Sequence, residues 1–473
     1  MKYYDSSAAK VKKLAPIDLR IHFSRYKQLC KRNKLIGGTN MKVKVIDAIC
    51  GAGKTSYAIQ MMNDSTKAGF GTDNESYTSD KKFIYVTPFL SEVQRIKELT
   101  ILEFFEPIAS YKIGAKREHV QTLVEEGCNI VMSHELFALL HEDTLLDIKE
   151  QGYTLIMDEV ANVLETSRIE KDDIRMLIET KKIEIQSDGQ INWIDPLYKG
   201  QFNALKILSS KRNLFLHNGT ILFWTMPIIN FKSFEEVYIL TYLFDGQIQR
   251  YYYDMYDVDY KKYSVRKNEN GRYELTKYDK SLEPRNEIGQ LLKIYEDYQK
   301  GKSVSRLNTS YLNKNNRPER ALSKSWFEKA DEEQIEQLKK NLLTFFMTQA
   351  PTEVNELYWT TFKSHAPEIK NKKSKLNKKD DRSKDNFVPF NTRATNDYAD
   401  KTAVAFVLNR FMNPNEKQFF SYRGIEVSED LLAVSDLIQF LFRGCIRNGE
   451  PMNCYIPSAR MRVLLKQWIN FEI

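Results

Sequence analysis

The sequence predicts an α/β chain of two tandem domains, with a helical insertion in the second. Three stretches carry that reading. Val43 to Ser56 (VKVIDAICGAGKTS) runs from a β-strand through a glycine-rich turn into a helix. Tyr153 to Ala161 (YTLIMDEVA) is an apolar strand that delivers two adjacent carboxylates at its C-terminal end. Ser435 to Arg447 (SDLIQFLFRGCIR) reads as a helix carrying Gln439, Arg443 and Arg447 at spacings of four, all on one face, with an apolar opposite side.

The first stretch fits a compact anion of several charges. Unpaired N–H groups at a helix N-terminus, with the helix dipole behind them, hold such a group. Gly51 and Gly53, with Ala52 between them, let the backbone come close. Lys54 can reach β- and γ-phosphates, the Thr55 hydroxyl is placed to ligate magnesium, and Ser56 follows in the same turn. This is a P-loop with Ala48 where the usual pattern opens on glycine, and ATP and Mg2+ are the expected ligands. In the second stretch Asp158 is suited to hold the magnesium ion through water, and Glu159 to orient and deprotonate an attacking water.

Composition sets wide bounds. A length of 473 residues suggests roughly two to three domains, and 42% hydrophobic residues supply sizeable cores. The net charge of +8, from 71 basic and 63 acidic residues, leans mildly towards an acidic partner. Five scattered cysteines without C-x-x-C spacing imply reduced thiols, no structural metal and a cytoplasmic location. No apolar run reaches the eighteen or so residues that a membrane span needs, so no membrane partner is expected.

Residues 1–40 form a basic extension, expected as a loosely ordered or helical appendage, and the first domain is expected over 41–230. Within it Phe83 to Thr87 is a buried strand followed by Pro88 and a helix, and Asn129 to Ser133, before His134, repeats the theme. Thr220 to Thr225 reads as a further buried strand ending before Met226 and Pro227. The strand Val237 to Phe244 is expected to open the second domain, 231–473, after a hinge near Ile228 to Glu236.

Tyr251, Tyr252, Tyr253, Tyr256 and Tyr260 pack for ordinary reasons or stack on bases, with packing favoured. A helical insertion is expected over about 257–350, with Ile288, Leu291, Leu292, Tyr295 and Tyr298 on one helical face and Ile335, Leu338, Leu342, Phe345 and Phe346 on another. Glu356 to Phe362 is the next strand, and the lysine run Lys370 to Lys379 is a phosphate contact or a solvated loop. A strand at Asn453 to Ile456 and a helix bearing Arg460, Arg462 and Trp468 close the chain.

The pattern A-x-x-G-x-G-K-T, the pair Asp158-Glu159 before Val160 and Ala161, and Gln439 with Arg443 and Arg447 together resemble superfamily 2 helicases, the DEAD/DEAH-like group. Residues 393–396, 439–447 and 456–462 look like the members carried by phages and mobile elements of low-GC bacteria. The resemblance implies two RecA-like domains with ATP and Mg2+ in the cleft between them. It implies that Arg443, and Arg447 if the helix is unbroken, reach the γ-phosphate. Thr87, Pro88, Ser133, His134, Arg393 and Thr395 then stand where such enzymes touch nucleic acid, and Thr225 where hydrolysis is coupled to movement. Phe442 stands in place of the motif's glycine, and the last arginine falls one position late.

The implied activity is an ATP-dependent helicase or translocase, with DNA favoured over RNA and replication proteins as possible partners. A P-loop motor that moves protein or packages DNA, and an ATP-driven clamp without strand separation, remain as alternatives. The extension 1–40 has no clear match to the upstream glutamine motif of DEAD-box enzymes, so it gives no argument for adenine selectivity.

Overall fold

Val43, Val45 and Ile46 are buried, and this apolar run makes Lys42–Asp47 the strand β1. The computed structural model describes residues 41–68, 77–88, 90–110, 114–299, 302–303, 305–370, 375–391 and 397–473. The extension 1–40 and the pair Arg393 and Thr395 lie outside the described residues, as do Lys372 and Lys373 of the lysine run.

From β1 the chain turns into α1 (Lys54–Asp64). Then follow β2 (Phe83–Thr87), α2 (Leu90–Leu99), β3 (Phe104–Phe105), β4 (Asn129–Ser133) and β5 (Thr154–Asp158). Every residue of β2 is buried, and β5 is buried up to Met157. Such continuous apolar runs mark parallel strands covered on both faces.

After β5 the chain leaves this layer for a separate antiparallel sheet of β6 (Leu164–Arg168), β7 (Leu214–His217) and β8 (Ile221–Thr225), ordered β7-β8-β6. It returns as β9 (Glu236–Thr241), which lies between β1 and β5 and is parallel to both. Helix α3 (Ile248–Met255) follows, then β10 (Tyr260–Lys267) beside β1 in parallel and β11 (Tyr273–Lys277) antiparallel at the edge. The full order is β11-β10-β1-β9-β5-β2-β4-β3.

Three expectations change here. The strand placed by sequence at the start of a second domain is central to the first sheet. The residues from 257 on, expected as helical insertion, begin with the β10–β11 pair. Ile221–Thr225 sits in the side sheet. The tyrosines at 251–253 lie on a buried helix, so packing accounts for them.

The second layer contains α4 (Arg285–Leu291), β12 (Leu292–Ile294), α5 (Glu332–Thr344), β13 (Leu357–Thr360), β14 (Ala403–Phe406), α6 (Pro414–Ser421), α7 (Glu429–Leu441), β15 (Met452–Tyr455) and α8 (Ala459–Ile469). Its sheet runs β12-β15-β14-β13, all parallel. Leu357 and Trp359 face one core with Phe345 and Leu342, whereas Tyr358 faces another with Leu437 and Trp468. That alternation is the strand period of two. The stripe expected as one helix from Ile288 breaks at Leu291, where α4 gives way to β12. Among the described residues no helix is long and apolar enough to cross a membrane.

One buried carboxyl pins the turn that follows β9. Asp47, at the end of β1, is 1% exposed. Its Oδ1 accepts the Leu243 N–H at 2.7 Å and its Oδ2 the Phe244 N–H at 3.1 Å, pinning a turn in which Leu243 takes a left-handed φ of 51°. Burial pushes the Asp47 carboxyl up from 3.8 to about 6, against the pull of Lys262 and the two N–H groups. A carboxyl raised on folding favours the folded state below its unfolded value, and that contribution is lost as pH rises through the folded value. Relative to non-titrating Asp47→Asn, the wild type should therefore lose up to about 3 kcal/mol between about pH 4 and 7. Urea-unfolding midpoints of both proteins across that range check this; parallel pH profiles would contradict it.

Candidate active site

Because β1, β2, β4, β5 and β9 are mutually parallel, their last residues share one edge: Asp47, Thr87, Ser133, Asp158 and Thr241. That C-terminal edge is where α/β sheets bind ligands. The P-loop turn rises from it. Gly51 and Gly53 hold φ of 84° and 98°, the left-handed region that only glycine enters freely. Gly53 caps α1, no side chain bonds the first turn, and no acid stands there, so the N–H groups and the positive end of the helix face the turn. Lys54 Nζ folds over it, donating to the carbonyl oxygens of Ala48 at 2.6 Å and Ile49 at 3.1 Å. The Thr55 and Ser56 hydroxyls follow in the first turn.

The edge hairpin reaches the same turn. A Cβ on Gly53 would lie 2.0 Å from the Tyr273 ring, so the ring packs directly on the loop. Gln60 of α1 holds Tyr273 with both ends of its amide: Nε2 donates to the Tyr273 carbonyl and Oε1 accepts its N–H, each at 2.9 Å.

At the end of β5 the Tyr85 hydroxyl donates to Asp158 Oδ2 at 3.0 Å. Burial, then the neighbouring Glu159 charge, pushes the Asp158 carboxyl up to about 7, while Tyr85 and Lys54 hold it down. His134 Nε2 donates to the Asp158 carbonyl oxygen at 2.9 Å, which fixes the ring tautomer because a carbonyl only accepts. Glu159 adopts φ 65°, a conformation costly for a side chain with a Cβ. Its N–H donates to Leu240 O at 3.0 Å, so sheet pairing continues while the turn swings the carboxylate out of the strand.

The second layer supplies the arginines. α7 ends at Leu441 and is buried on nearly every side, and a 3₁₀ turn, Cys445–Asn448, follows. Gln439, Arg443 and Arg447 therefore do not share one continuous helical face, which corrects the reading from spacing. The bend is tight: a Cβ on Gly444 would lie 2.6 Å from Met452 Sδ and 2.9 Å from Tyr358 Oη. Arg443 donates to the carbonyl oxygens of Pro389 at 3.3 Å and Phe390 at 3.0 Å, and burial pushes its guanidinium down to about 10. Gln439 donates to Ser435 Oγ at 3.1 Å.

The two layers meet at the turn. Ile49 belongs to the same buried cluster as Leu437, Phe442 and Ile446, with Cys50 and Ala52 packed against it. The Cys50 thiol, raised by burial, lies within electrostatic reach of Lys54, Glu159, Arg447 and Arg443 together.

The other residues singled out from sequence separate. Thr87 is buried at the end of β2 with Pro88 after it. Ser133 caps the short helix His134–Ala138, accepting the Leu136 N–H. His134 is buried behind Asp158 and braces the strand end through its bond to the Asp158 carbonyl oxygen. Thr225, far along the side sheet, bonds the Tyr256 hydroxyl at 2.7 Å.

Two residues at the edge were not singled out by the sequence reading, Tyr85 and Thr241. Thr241 ends the strand between β1 and β5, and its buried hydroxyl has no hydrogen-bond partner among the described residues. The signal that could have found it is a polar residue closing an apolar strand, as at Thr87 and Ser133.

Among the described residues no three His, Cys, Asp or Glu side chains cluster to hold a metal unaided. A threonine hydroxyl and one carboxylate beside the turn fit magnesium, which takes few protein oxygens and completes its shell with phosphate and water.

Residues 287–469 match the YonV C-terminal Rossmann-like domain, nearly the whole second layer from α4 to α8. Residues 164–224 match the YonV middle domain, which spans the β6–β8 side sheet. Among solved structures the chain is similar to an XPD helicase at TM-score 0.46 and 11% identity, covering 93% of this chain and 97% of that one. It is also similar to an apo XPD at TM-score 0.39 and 12% identity, covering 92% of this chain and 98% of that one. The SPbeta prophage-derived uncharacterized protein YonV of Bacillus subtilis (strain 168) is 38% identical over 446 residues, covering 91% of this chain and 99% of that protein. The chain therefore belongs to the YonV family.

Proposed function

We propose that this protein is an ATP-dependent nucleic-acid helicase or translocase, acting on DNA in phage or mobile-element replication or recombination in a bacterial cytoplasm. One observation carries the reading: the P-loop turn, through Ile49, Cys50 and Ala52, packs into the same buried cluster as Leu437, Phe442 and Ile446 of the segment that bears the two arginines. The prophage origin of the relative supports the genetic setting.

In this reading Gly51, Ala52, Gly53, Lys54, Thr55 and Ser56 cradle the phosphates of ATP. Lys54 leaves the carbonyl oxygens of Ala48 and Ile49 for the β- and γ-phosphates. Thr55 and Asp158 would hold magnesium, which when bound would neutralise charge on those phosphates. Tyr85 and His134 keep the Asp158 end of β5 in place. Glu159 orients the attacking water and takes its proton. Arg443 and Arg447, with Gln439 behind them, stabilise charge developing on the γ-phosphoryl group. Thr241, on the strand between the P-loop and the carboxylates, takes the coupling role that sequence assigned to Thr225. Release of phosphate lets the layers part, and nucleic acid lying across both is moved by that step.

Glu159→Gln should lower steady-state ATP hydrolysis by about 10² or more while leaving ATP affinity near wild type. Wild-type turnover in that variant would sink the base assignment. Arg443→Ala should lower turnover by about 10³ or more with nucleotide affinity little changed, and Arg443→Lys should recover only a small part. Equal loss of affinity and rate would instead make Arg443 a ground-state ligand. Displacement of a strand from a tailed duplex, dependent on ATP and lost in Lys54→Ala, tests the helicase reading itself.

A further inference from the structure

A cavity of about 240 Å³ lies in the segment between β12 and α5, lined by Asn315, Asn316, Arg317, Arg320, Lys329 and Gln334 beside Trp326 and Ala330, and among the described residues no acidic side chain lines it. Its floor is prebuilt. Gln334, locked in the capping box that starts α5, donates from Nε2 to Asn316 Oδ1 at 2.7 Å, and the Trp326 indole N–H donates to the same oxygen at 3.0 Å. An indole nitrogen only donates, so Asn316 must turn its oxygen to the floor and its –NH2 to the cavity. Arg317, Arg320 and Lys329 line the mouth and are exposed. The Arg320 N–H bonds Arg317 O at 2.9 Å, which brings the two arginines onto one turn.

The turn is stapled to the second sheet. Asn409, just past the C-terminal end of β14, donates its N–H to Leu322 O at 2.8 Å and its amide to Glu319 O and Ala321 O at 2.9 and 3.1 Å. The cavity thus stands beside the edge where parallel sheets take ligands. Donors without acids, two of them planar guanidinium forks, select a phosphate oxygen cluster. Pockets that enclose whole small molecules run from about 300 to 1,000 Å³, so this smaller space suits one unit of a longer polymer.

We infer that the Asn316–Arg317–Arg320–Lys329 cavity binds a backbone phosphate of a single nucleic-acid strand, gripping it from the second layer. This rests on the nucleic-acid reading above and adds a grip on the strand that none of the helicase-like stretches contains.

The test is fluorescence anisotropy of labelled oligothymidylate with the full-length protein, titrated over salt. The double variant Arg317→Glu/Arg320→Glu should bind on the order of tenfold more weakly, with a log K against log salt slope flatter by about 0.7, the value for one phosphate no longer neutralised. Its ATP hydrolysis without polymer and its thermal unfolding should match wild type. Asn316→Asp keeps both floor bonds but faces the anion with a carboxylate, and should also weaken binding. Wild-type affinity and slope in these variants would overturn the site while leaving the nucleic-acid reading standing. If the wild type binds no oligonucleotide, that reading fails and the site falls with it. Competition by polyglutamate as effective as by unlabelled oligonucleotide would assign the cavity to acidic protein and overturn the proposal.

Discussion

The architecture turns on a buried carboxylate. Asp47 ends the strand that feeds the P-loop, and its two oxygens hold the N–H groups of Leu243 and Phe244 where the chain leaves β9. Four residues on, Gln247 donates to Ser435 Oγ at 2.8 Å, the same hydroxyl that Gln439 engages at 3.1 Å. Tyr242 adds a second link, receiving the Trp468 indole N–H at 2.6 Å and donating to Glu283 at 2.7 Å. The strand beneath the phosphate turn is thereby tied through short, enclosed hydrogen bonds to α7 and α8 of the other layer. Such bonds are stronger in a low-dielectric interior and costly to leave half-made, so the joint favours discrete arrangements over gradual slippage.

Around that joint the chain is modular. The side sheet matching the YonV middle domain is inserted between β5 and β9. The segment between β12 and β13 builds its own floor of Trp326, Gln334 and Asn316. Neither insertion interrupts the parallel order β1-β9-β5-β2. The strand ends keep a single edge, and on it the one strained acidic residue, Glu159, sits next to the one carboxylate raised by its burial and by that neighbour.

What was legible in the sequence was local. The P-loop and the β5 strand announce themselves within about a dozen residues, because glycine conformation, apolar alternation and a helix start are short-range properties. Strand β9 was legible as a strand but not by its neighbours. Its pairing with β1 spans nearly the whole first layer, and Val237 to Thr241 are equally apolar whether they open a domain or fill the centre of a sheet. Thr225 and Thr241 end similar strands, and only that remote pairing tells them apart. The arginine helix was found in place, but its end was not: Gly444 fits a bend set by Met452 and Tyr358, neighbours that spacing cannot reveal. The cavity at Asn316 was illegible because its donors are ordinary surface residues until Trp326 and α5 fold beneath them.

The most direct test of the account is steady-state ATP hydrolysis by the purified protein, alone and with single-stranded DNA, duplex DNA and RNA in turn, beside Lys54→Ala. The account predicts hydrolysis that needs Lys54 and is strongly stimulated by one polymer, DNA before RNA. Lys54-dependent hydrolysis indifferent to all three would contradict the nucleic-acid motor and leave an ATPase directed at protein.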